Sequence, residues 1–328
     1  MFAGGFTLCA IVYIFNIKEF KPIVGPAVLT AFLGYLLVIF ALMFDLGRPD
    51  RVWHALVMWN PHSVMFEVAW CVMLYTTVLA LEFSPIVFEG LGWMKAVRVM
   101  RAITIPLVII GVILSTLHQS SLGSLYLIVP EKLHPLWYSS LLPVFFFLSA
   151  LGVGCAMVIF ESFMSSRAFK RQIEMPLLSQ LGRVMVVILM IYTIIKIQDL
   201  LDRQALAAVF TMRLESVLYW VEMGFGVLLP MVLLAIPKVR LHQTGLFVSA
   251  LLVVLGFVLN RMNVSITGME GWANAGYFPS WMEVAVTVMI VALGFAAFSL
   301  AARYLPVFPK AENEIKSIEE SMLVLGTE

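Results

Sequence analysis

Long apolar stretches separated by short polar segments recur along the whole chain. An α-helix needs about 20 predominantly apolar residues to cross the hydrocarbon core of a bilayer, whereas a membrane-spanning strand is about 10 residues of alternating character. The stretches have the helical length and do not alternate. The pattern therefore predicts an all-α, polytopic membrane protein, in which residues 1–309 form a helical domain and residues 310–328 a tail. The nine predicted helices are Met1–Asn16, Pro26–Phe44, Val64–Phe83, Ala102–Leu117, Tyr138–Phe160, Val184–Leu201, Val217–Ile236, Thr244–Asn260 and Val284–Tyr304.

The composition agrees with a membrane location. Hydrophobic residues make up 62% and charged residues 12% of the 328 positions, against roughly 45–50% and about 25% in a typical soluble domain. The 21 basic side chains nearly balance the 20 acidic ones, for a formal net charge of +1. A soluble enzyme, a nucleic-acid-binding protein and a disordered chain are excluded, because each needs more charge or polar surface than this.

The first predicted helix differs from the others. A helix over Met1–Asn16 would rise about 24 Å, which is less than the roughly 30 Å of a hydrocarbon core. No positively charged segment precedes it, as a signal peptide would require. We expect the chain to begin inside a spanning helix, with the preceding part missing.

Basic residues divide unequally between the two sides of the membrane. With nine spans, 14 lysines and arginines fall on the side that holds the C-terminus. Cytoplasmic loops carry the excess of lysine and arginine in membrane proteins. We therefore predict a cytoplasmic C-terminal tail. The outer side then holds the 7 remaining basic residues, Arg48, Arg51, Lys132, Lys196, Arg203, Arg213 and Arg261.

A faint internal repeat relates the second and third predicted helices to the sixth and seventh. Asp45 lies at the end of the second, and Glu67 follows within the third. Asp199 lies at the end of the sixth, and Glu222 follows within the seventh at nearly the same spacing. An offset of four helices preserves orientation, so the repeat predicts two parallel four-helix units.

Cysteines and histidines limit the redox chemistry that the chain carries by itself. Cys9, Cys71 and Cys155 stand alone in apolar stretches, without the pairwise spacing of an iron–sulfur cluster, a zinc site or a covalent haem. A b-type haem needs two facing axial ligands, commonly histidines, and no histidine lies in the middle of a predicted helix. We predict no haem, iron–sulfur cluster or metal in this chain, with a haem on a pair of outer-side histidines as the alternative.

Ionisable residues are concentrated near the outer ends of the predicted helices. A charged group within or beside the hydrocarbon is costly unless it is paired or in contact with water. A functional role is therefore the first interpretation of these residues. The alternative is that they contact lipid headgroups. Carboxylates in or at the end of apolar stretches are the candidates for proton transfer, and three arginines accompany them. These residues are Asp45, Glu67, Asp199 and Glu222, with Arg48, Arg203 and Arg261.

Two histidine-containing motifs border one predicted outer loop. His118 and Gln119 begin the loop, and His134 and Trp137 end it. A quinone headgroup needs hydrogen-bond donors at its carbonyls, an apolar slot for its tail and a route for protons, and this loop with the adjoining helix ends offers all three. The four residues are candidates for quinone binding, with a plain capping loop as the alternative.

These motifs resemble the HybB branch of the NrfD/PsrC family, which comprises integral membrane subunits of quinone-linked redox complexes. The resemblance extends from residue 1 to about residue 309. The runs that carry it are Asp45–Arg48, Asn60–Glu67, Ala80–Pro85, His118–Ser124, His134–Trp137 and Val158–Glu161. It implies a cofactor-free bundle of two four-helix units in the bacterial inner membrane, with a menaquinone site on the periplasmic side. It further implies a ferredoxin-like iron–sulfur subunit on that side, fed by a hydrogenase, a multihaem cytochrome or a molybdoenzyme.

The leading hypothesis is the quinone-reactive membrane anchor of a respiratory oxidoreductase complex. Electrons would arrive from the external iron–sulfur partner and reach menaquinone near His118. A secondary transporter or proton channel is the alternative, because the repeat and the carboxylates Glu67, Glu222 and Glu283 would suit a transport path through the bilayer. Helices broken by glycine or proline at matching places of the two units, typical of such transporters, are not evident in the sequence.

Overall fold

The computed structural model describes residues 21–170, 172–211, 213–273, 277 and 279–308. Within these ranges the chain is helical and contains no strand. Eight of the described helices are long and apolar enough to cross a membrane. They are α1 (Lys21–Asp45), α2 (Val64–Gly90), α3 (Thr104–Leu125), α4 (Leu142–Phe169), α5 (Met175–Asp202), α6 (Leu214–Ala235), α7 (Gln243–Ala273) and α8 (Trp281–Tyr304).

Short helical elements connect the eight long helices. Because consecutive long helices run in opposite directions, the connections that follow α1, α3, α5 and α7 share one end of the bundle, which we call the site end. The short elements are Pro49–Arg51 and His54–Val57 after α1, Met94–Ala102 after α2, Tyr126–Ile128 after α3, Leu206–Val209 after α5 and Pro237–Arg240 after α6.

The predicted fold class, an all-α polytopic membrane protein, is confirmed. Each of the last eight predicted segments overlaps one of the helices α1 to α8. The first predicted helix, Met1–Asn16, lies outside the described residues, as do Cys9 and the tail 310–328. Apolar length was sufficient to identify each described span, because in a bilayer the backbone must satisfy its own hydrogen bonds and a helix does so within one segment.

The largest difference between prediction and structure lies at the end of α3. The sequence pattern predicts an outer loop over residues 118–124, but α3 continues through it. The prediction is wrong because the helix accommodates these polar side chains: the hydroxyls of Ser121 and Ser124 donate to backbone carbonyls four residues earlier, at 2.8 and 3.1 Å. His118 and Gln119 are therefore helical residues, and both are buried.

Helix α4 occupies the centre of the bundle. It packs against α3 on one side and against α5 and α7 on the other. We call α1–α3 the first half and α5–α7 the second half, and within each half consecutive helices pack against each other. Helix α8 packs against α1, and none of its most apolar stretch is buried inside the protein. That exposure is expected of an apolar helix that faces lipid.

Helices α6 and α7 approach each other closely, and both depart from regular α-helix. A Cβ atom added to Gly226 of α6 would lie 2.5 Å from the Cα atom of Gly256 of α7, so glycine is needed at this crossing. Each helix also contains a π-helical turn, Gly224–Leu228 in α6 and Asn263–Thr267 in α7. Such turns are rare and lie frequently at functional sites. Both lie next to polar residues through which the two helices contact each other.

Candidate functional site

The candidate residues lie toward the site end in two clusters with different surroundings. One cluster is built on α1, α2 and α3, and we call it the first-half cluster. The other is built on α5, α6 and α7 with the segment between α3 and α4, and we call it the second-half cluster. The first contains Tyr35, Glu67, Tyr75, His118, Gln119 and Ser121, and the second contains Trp137, Ser139, Lys196, Asp199, Arg203, Glu222, Asn260, Arg261 and Asn263.

His118 is the buried centre of the first-half cluster. Only 6% of the residue is exposed. Its ring lies tilted against the ring of Tyr35 on α1 with centroids 5.6 Å apart, and Tyr35 in turn contacts Tyr75 of α2 edge-on at 4.4 Å. Among the described residues, Nδ1 of His118 has no hydrogen-bond partner. A buried polar atom without a partner is costly in a folded protein, so it marks a position that a ligand or water completes.

The same helix connects this imidazole with a carboxylate at the surface. The hydroxyl of Ser121 is buried and donates to Oε1 of Glu67 on α2 at 2.6 Å, while Glu67 itself is an exposed residue. Gln119 is buried, and its side chain is hydrogen-bonded to the Tyr35 hydroxyl. The first-half cluster therefore combines a buried imidazole, a phenol and an amide with a carboxylate in reach of water.

Asp45 and Arg48 follow the end of α1, outside this cluster. Both residues are exposed. Arg48 pairs with Asp50 at 3.5 Å, with 63% and 62% of the two side chains exposed. An ion pair that is so exposed stabilises a protein by about 0–1 kcal/mol. These residues therefore form part of the outer surface near the cluster, and they do not line its buried part.

Glu222 is the buried carboxylate at the centre of the second-half cluster. Only 1% of the residue is exposed. Its oxygens accept three hydrogen bonds, from Nε1 of Trp137 at 3.0 Å, Nδ2 of Asn260 at 2.7 Å and Nδ2 of Asn263 at 2.9 Å. The two asparagines are three residues apart on α7, which places both on the side that faces α6. Glu222 thus joins α6 to α7 and to the segment between α3 and α4.

Asp199 forms a second buried junction. One carboxylate oxygen accepts from the hydroxyl of Ser139 at 2.6 Å. The other accepts from Nε of Arg203 at 3.0 Å and also from its Nη2. Nη1 of the same guanidinium donates to the carbonyl of Pro135 at 2.8 Å. Two nitrogens of one guanidinium therefore converge on a single carboxylate oxygen, and such charge-assisted hydrogen bonds are stronger than neutral ones.

Two further basic side chains lie in this cluster, the partly buried Arg261 and the buried Lys196. The guanidinium of Arg261 donates to Ser149 at 2.6 Å and to Asn260 at 2.7 Å, and it lies 3.6 Å from the ring centroid of Phe146. Lys196, one turn before Asp199 on α5, is buried with its ammonium 4.7 Å from an aromatic ring of α4. Arg203, Arg261 and Lys196 give this cluster three cations against the two carboxylates.

His134 and Trp137 belong to the segment that joins the two halves. The backbone N–H of His134 donates to the carbonyl of Gly268 at 2.7 Å, and Trp137 is fully buried against Tyr219 and Glu222. Burial lowers the pKa of His134 from its ordinary value. Beyond the contacts within their own segment, the hydrogen bonds and ring contacts of His134 and Trp137 are thus with the second half, whereas those of the first-half cluster are with α1 and α2.

Several residues of the two clusters were missed as candidates from the sequence. The pair Asn260 and Asn263 had a detectable signal, because amides three residues apart share one face of an apolar helix. Tyr35 and Tyr75 had none, since a tyrosine in an apolar stretch is as typical of a packed core. Lys196 was counted only for its charge, although a lysine inside a spanning segment is itself an indication of a functional or paired group.

The histidines do not match the ligand set of a haem held between helices. All five lie in the described ranges, and His118 is the one that lies within a membrane-spanning helix. A haem with two histidine ligands inside the bundle needs a facing pair. The described residues also contain no group of three or more His, Cys, Asp or Glu that could hold a metal ion. The absence of haem stays a prediction, to be checked by the reduced spectrum of the purified protein.

Comparison with known proteins gives a consistent assignment. The sequence model of the family described as "Polysulphide reductase, NrfD" matches residues 1–271. The chain is 33% identical to the "Probable Ni/Fe-hydrogenase 2 b-type cytochrome subunit" of Escherichia coli, over 93% of this chain and 79% of the relative. It is 31% identical to the "Menaquinone reductase, integral membrane subunit" of Nitratidesulfovibrio vulgaris, over 94% of this chain and 80% of the relative. Another protein of that organism is 40% identical over 93% of this chain and 81% of its own length.

These matches confirm the resemblance that the motifs indicated. The family match covers well over half of the chain, and the relatives at 33% and 40% identity extend over most of it. The helical architecture and the relatives' names agree with integral membrane subunits of redox complexes. The chain is therefore an integral membrane protein of the NrfD (polysulphide reductase) family.

Proposed function

We propose that this chain is the quinone-reactive membrane subunit of a respiratory oxidoreductase complex. Relatives named for a hydrogenase, a menaquinone reductase and a selenate reductase support a role in electron transfer at the membrane. Menaquinone is the substrate, and when bound it supplies the two-electron, two-proton redox chemistry. The observation that carries the proposal is the buried imidazole of His118 with its free Nδ1.

The first-half cluster has the chemistry that a quinone headgroup requires. A quinone carbonyl accepts hydrogen bonds, and a histidine N–H and a glutamine amide donate them. We assign His118 and Gln119 to the carbonyl contacts and the ring of Tyr35 to the apolar wall beside them. His134 and Trp137 lie on the segment that leaves α3. We assign the partly exposed His134 to the wall of the site and the fully buried Trp137 to the support of that wall.

Glu67 is the group best placed to exchange protons between this site and water. Its carboxylate is exposed, yet it accepts from the buried hydroxyl of Ser121, one turn of α3 from His118. Asp45 lies on the same outer surface at the end of α1. A carboxylate in contact with both water and a buried hydroxyl can take up or release a proton without being buried as an isolated charge.

A redox partner docks at the site end in this proposal. The family resemblance implies a ferredoxin-like iron–sulfur subunit on the periplasmic side, which is linked to a hydrogenase, a multihaem cytochrome or a molybdoenzyme. We propose that the protein lies in the bacterial inner membrane with the tail from Lys310 in the cytoplasm, which the excess of basic residues on the opposite side supports. We expect a reporter protein that is active only in the cytoplasm to be active when it is fused to the C-terminus. Activity of a periplasm-specific reporter at this position would reverse the orientation.

The test of the proposed site is a His118→Ala variant of the assembled complex. Alanine removes the N–H donor, and loss of a hydrogen bond between ligand and site costs about 1–3 kcal/mol, so turnover with a menaquinone analogue should fall about 5- to 150-fold. Reduction of an artificial dye by the partner subunits should be unchanged, because it bypasses the membrane site. His62→Ala is the matched control, since His62 is an exposed histidine at the same end of the bundle.

Three outcomes are informative. Loss of quinone turnover with intact dye reduction in His118→Ala, but not in His62→Ala, supports the site. Wild-type quinone turnover in an assembled His118→Ala complex contradicts it, and the site then has to be sought near Arg203 and Arg261. Copurification of menaquinone with the wild-type complex, and its loss from His118→Ala, tests binding without reference to turnover.

A further inference from the structure

The segment 129–141, which links α3 to α4, is held in place by the second half of the protein. We propose that Glu222 and Asp199 are positioning residues that fix this segment, and with it one wall of the quinone site, rather than groups that transfer protons. The anchoring is a property of this chain alone. Its effect on quinone turnover rests on the proposed function, so the two are measured separately below.

Four hydrogen bonds tie the segment to three different helices. The backbone N–H of His134 donates to the carbonyl of Gly268 on α7 at 2.7 Å. The carbonyl of Pro135 accepts from Arg203 at the end of α5 at 2.8 Å. The remaining two are the bonds from Trp137 to Glu222 on α6, at 3.0 Å, and from Ser139 to Asp199 on α5, at 2.6 Å. Every second residue or so of this stretch is therefore fixed by a polar contact.

The apolar side chains between these contacts are buried as deeply as a protein core. Leu136, Trp137 and Ser139 have no exposed surface, and Leu133 is almost fully buried. Gly268 makes this packing feasible, because a Cβ atom there would lie 2.7 Å from Leu133 Cδ1 and 3.4 Å from Trp137 Cε3. A connection with this degree of burial and polar contact opens only at a large free-energy cost.

The surroundings of Glu222 fit a fixed acceptor. An ionised carboxylate accepts hydrogen bonds and donates none, and all three groups that contact Glu222 are donors. None of them is a carboxylate, a histidine or a hydroxyl that could pass a proton onward. A proton on either oxygen of Glu222 would meet a donor already bonded there, Asn260 at Oε1 or Trp137 and Asn263 at Oε2, and would weaken the bonds of the other oxygen by removing the charge, so a relay at this position would disturb the contacts of the segment and of α7.

Asp199 is likewise a hydrogen-bond acceptor surrounded by donors, at the other end of the segment. Its two oxygens accept from Ser139 and from two nitrogens of Arg203. Because Arg203 also donates to the Pro135 carbonyl, one ion pair fixes both the side chain at position 139 and the backbone at position 135.

Limited proteolysis tests the anchoring directly. Trypsin cleaves after Lys132, at the start of the anchored stretch, and cleavage of a protected segment follows the population of its open form. Trp137→Phe keeps an aromatic ring, although a smaller one, and removes the N–H that donates to Glu222, whereas Glu222→Gln removes the charge and keeps the volume. Each variant of the full complex in lipid nanodiscs should be cut after Lys132 about tenfold faster than wild type or more, since a hydrogen bond to a buried charge is lost. The cleaved bond is identified by mass spectrometry.

Two matched controls and a double variant make the test specific. Trp220→Phe removes an indole N–H that donates to a backbone carbonyl elsewhere in the second half, at 3.2 Å, and should leave cleavage after Lys132 at the wild-type rate. Glu67→Gln removes a carboxylate of the first half and should also leave this cleavage unchanged. Because Trp137 and Glu222 are partners in one bond, the double variant should be cut no more than about twice as fast as the faster single variant.

Quinone kinetics then separate positioning from proton transfer. If Glu222 positions the wall, Trp137→Phe and Glu222→Gln both raise the KM for a menaquinone analogue by a similar factor and leave kcat within about twofold of wild type. If Glu222 transfers protons, Glu222→Gln lowers kcat while Trp137→Phe does not, and cleavage after Lys132 is unchanged in Glu222→Gln. That second pattern overturns the positioning role. If the segment opens in these variants without any change in quinone kinetics, the hydrogen bonds do hold the segment, but the segment is not a wall of the quinone site.

Discussion

The two halves of the bundle place related acidic residues in opposite environments. In the first half Asp45 and Glu67 are exposed, and the buried His118 has an Nδ1 without a partner. In the second half Asp199 and Glu222 are buried, and donors from α7, from the end of α5 and from the segment between α3 and α4 surround them. The sequence repeat pairs Asp45 with Asp199 and Glu67 with Glu222, yet the structure gives each pair two different sets of neighbours.

The difference shows how polar groups divide between binding and support. A buried network that is fully hydrogen-bonded holds its members in one arrangement, whereas an incompletely bonded group is available to a ligand. The second-half cluster therefore suits the support of a fold, and the first-half cluster suits a substrate. A repeat in the sequence predicts equivalent positions in the bundle, and the contacts on neighbouring helices decide what each position does.

The sharpest test of this contrast compares Glu222→Ala with Glu67→Ala. Removal of the buried carboxylate leaves the Trp137, Asn260 and Asn263 donors without an acceptor, so we expect a loss of about 3–5 kcal/mol in the free energy of unfolding. Removal of the exposed Glu67 leaves only the Ser121 hydroxyl, which still donates to a backbone carbonyl, and should cost about 1 kcal/mol or less. Thermal unfolding followed by tryptophan fluorescence measures the stability of both variants. Equal unfolding midpoints would show that the two carboxylates do not differ in their contribution to stability.

A smaller effect is expected at the glycine that seats the connecting segment. Gly268→Ala places a methyl group 2.7 Å from Leu133 and should destabilise the protein by about 1–3 kcal/mol through overpacking. Gly47→Ala is the control on the side of the first half, because nothing lies within 4 Å of a Cβ atom at that position. The same unfolding measurement applies. A Gly268→Ala variant as stable as Gly47→Ala would show that the segment can move away from the added methyl group without loss of stability.

The smallest effect concerns the pH dependence of stability at His134. Burial lowers the pKa of this histidine, and the neighbouring Glu215 and Arg213 act in opposite directions on it. The unfolded chain therefore binds more protons than the folded one just below the ordinary pKa of about 6.5, and the free energy of unfolding falls as the pH falls through that range. His134→Gln should make the unfolding midpoint less dependent on pH between about pH 7 and pH 5. An unchanged slope would place the titrating group elsewhere.

Much of the fold and part of the site were predictable from the sequence. The length of each apolar stretch predicts a span, because a helix is the one element that satisfies its backbone inside a bilayer without a neighbour. The charged residues within those stretches were identified for the same reason, since their burial is costly without partners. The end of α3 was not predictable, because Ser121, Ser124 and their neighbours are poor helix formers. Tertiary contacts and hydrogen bonds to the preceding turn keep these residues helical.

The pairing of side chains across helices was not predictable. Trp137 and Glu222 are 85 positions apart, and Ser139 and Asp199 are 60 apart, so no local pattern relates them. The sequence placed His118, Gln119, His134 and Trp137 together because they border one stretch of chain. Their contacts depend instead on which face of α3 turns toward α1 and which side of the connecting segment turns toward α6, and helix packing determines both.

The π-helical turn of α7 brings the two residues of α7 that hold the connecting segment toward one side of the helix. A turn with bonds between residues five apart holds one residue more than an α-helical turn does. The turn Asn263–Thr267 begins at Asn263, which donates to Glu222, and ends just before Gly268, which accepts from His134. In a regular α-helix two residues that are five apart lie about 140° apart around the axis, so Asn263 and Gly268 would face different neighbours. Deletion of one residue such as Ser265 would restore a regular helix in which these two residues are four apart and again lie on one side. During evolution, this stretch of α7 can therefore lose its extra residue without turning the carbonyl of Gly268 away from the segment.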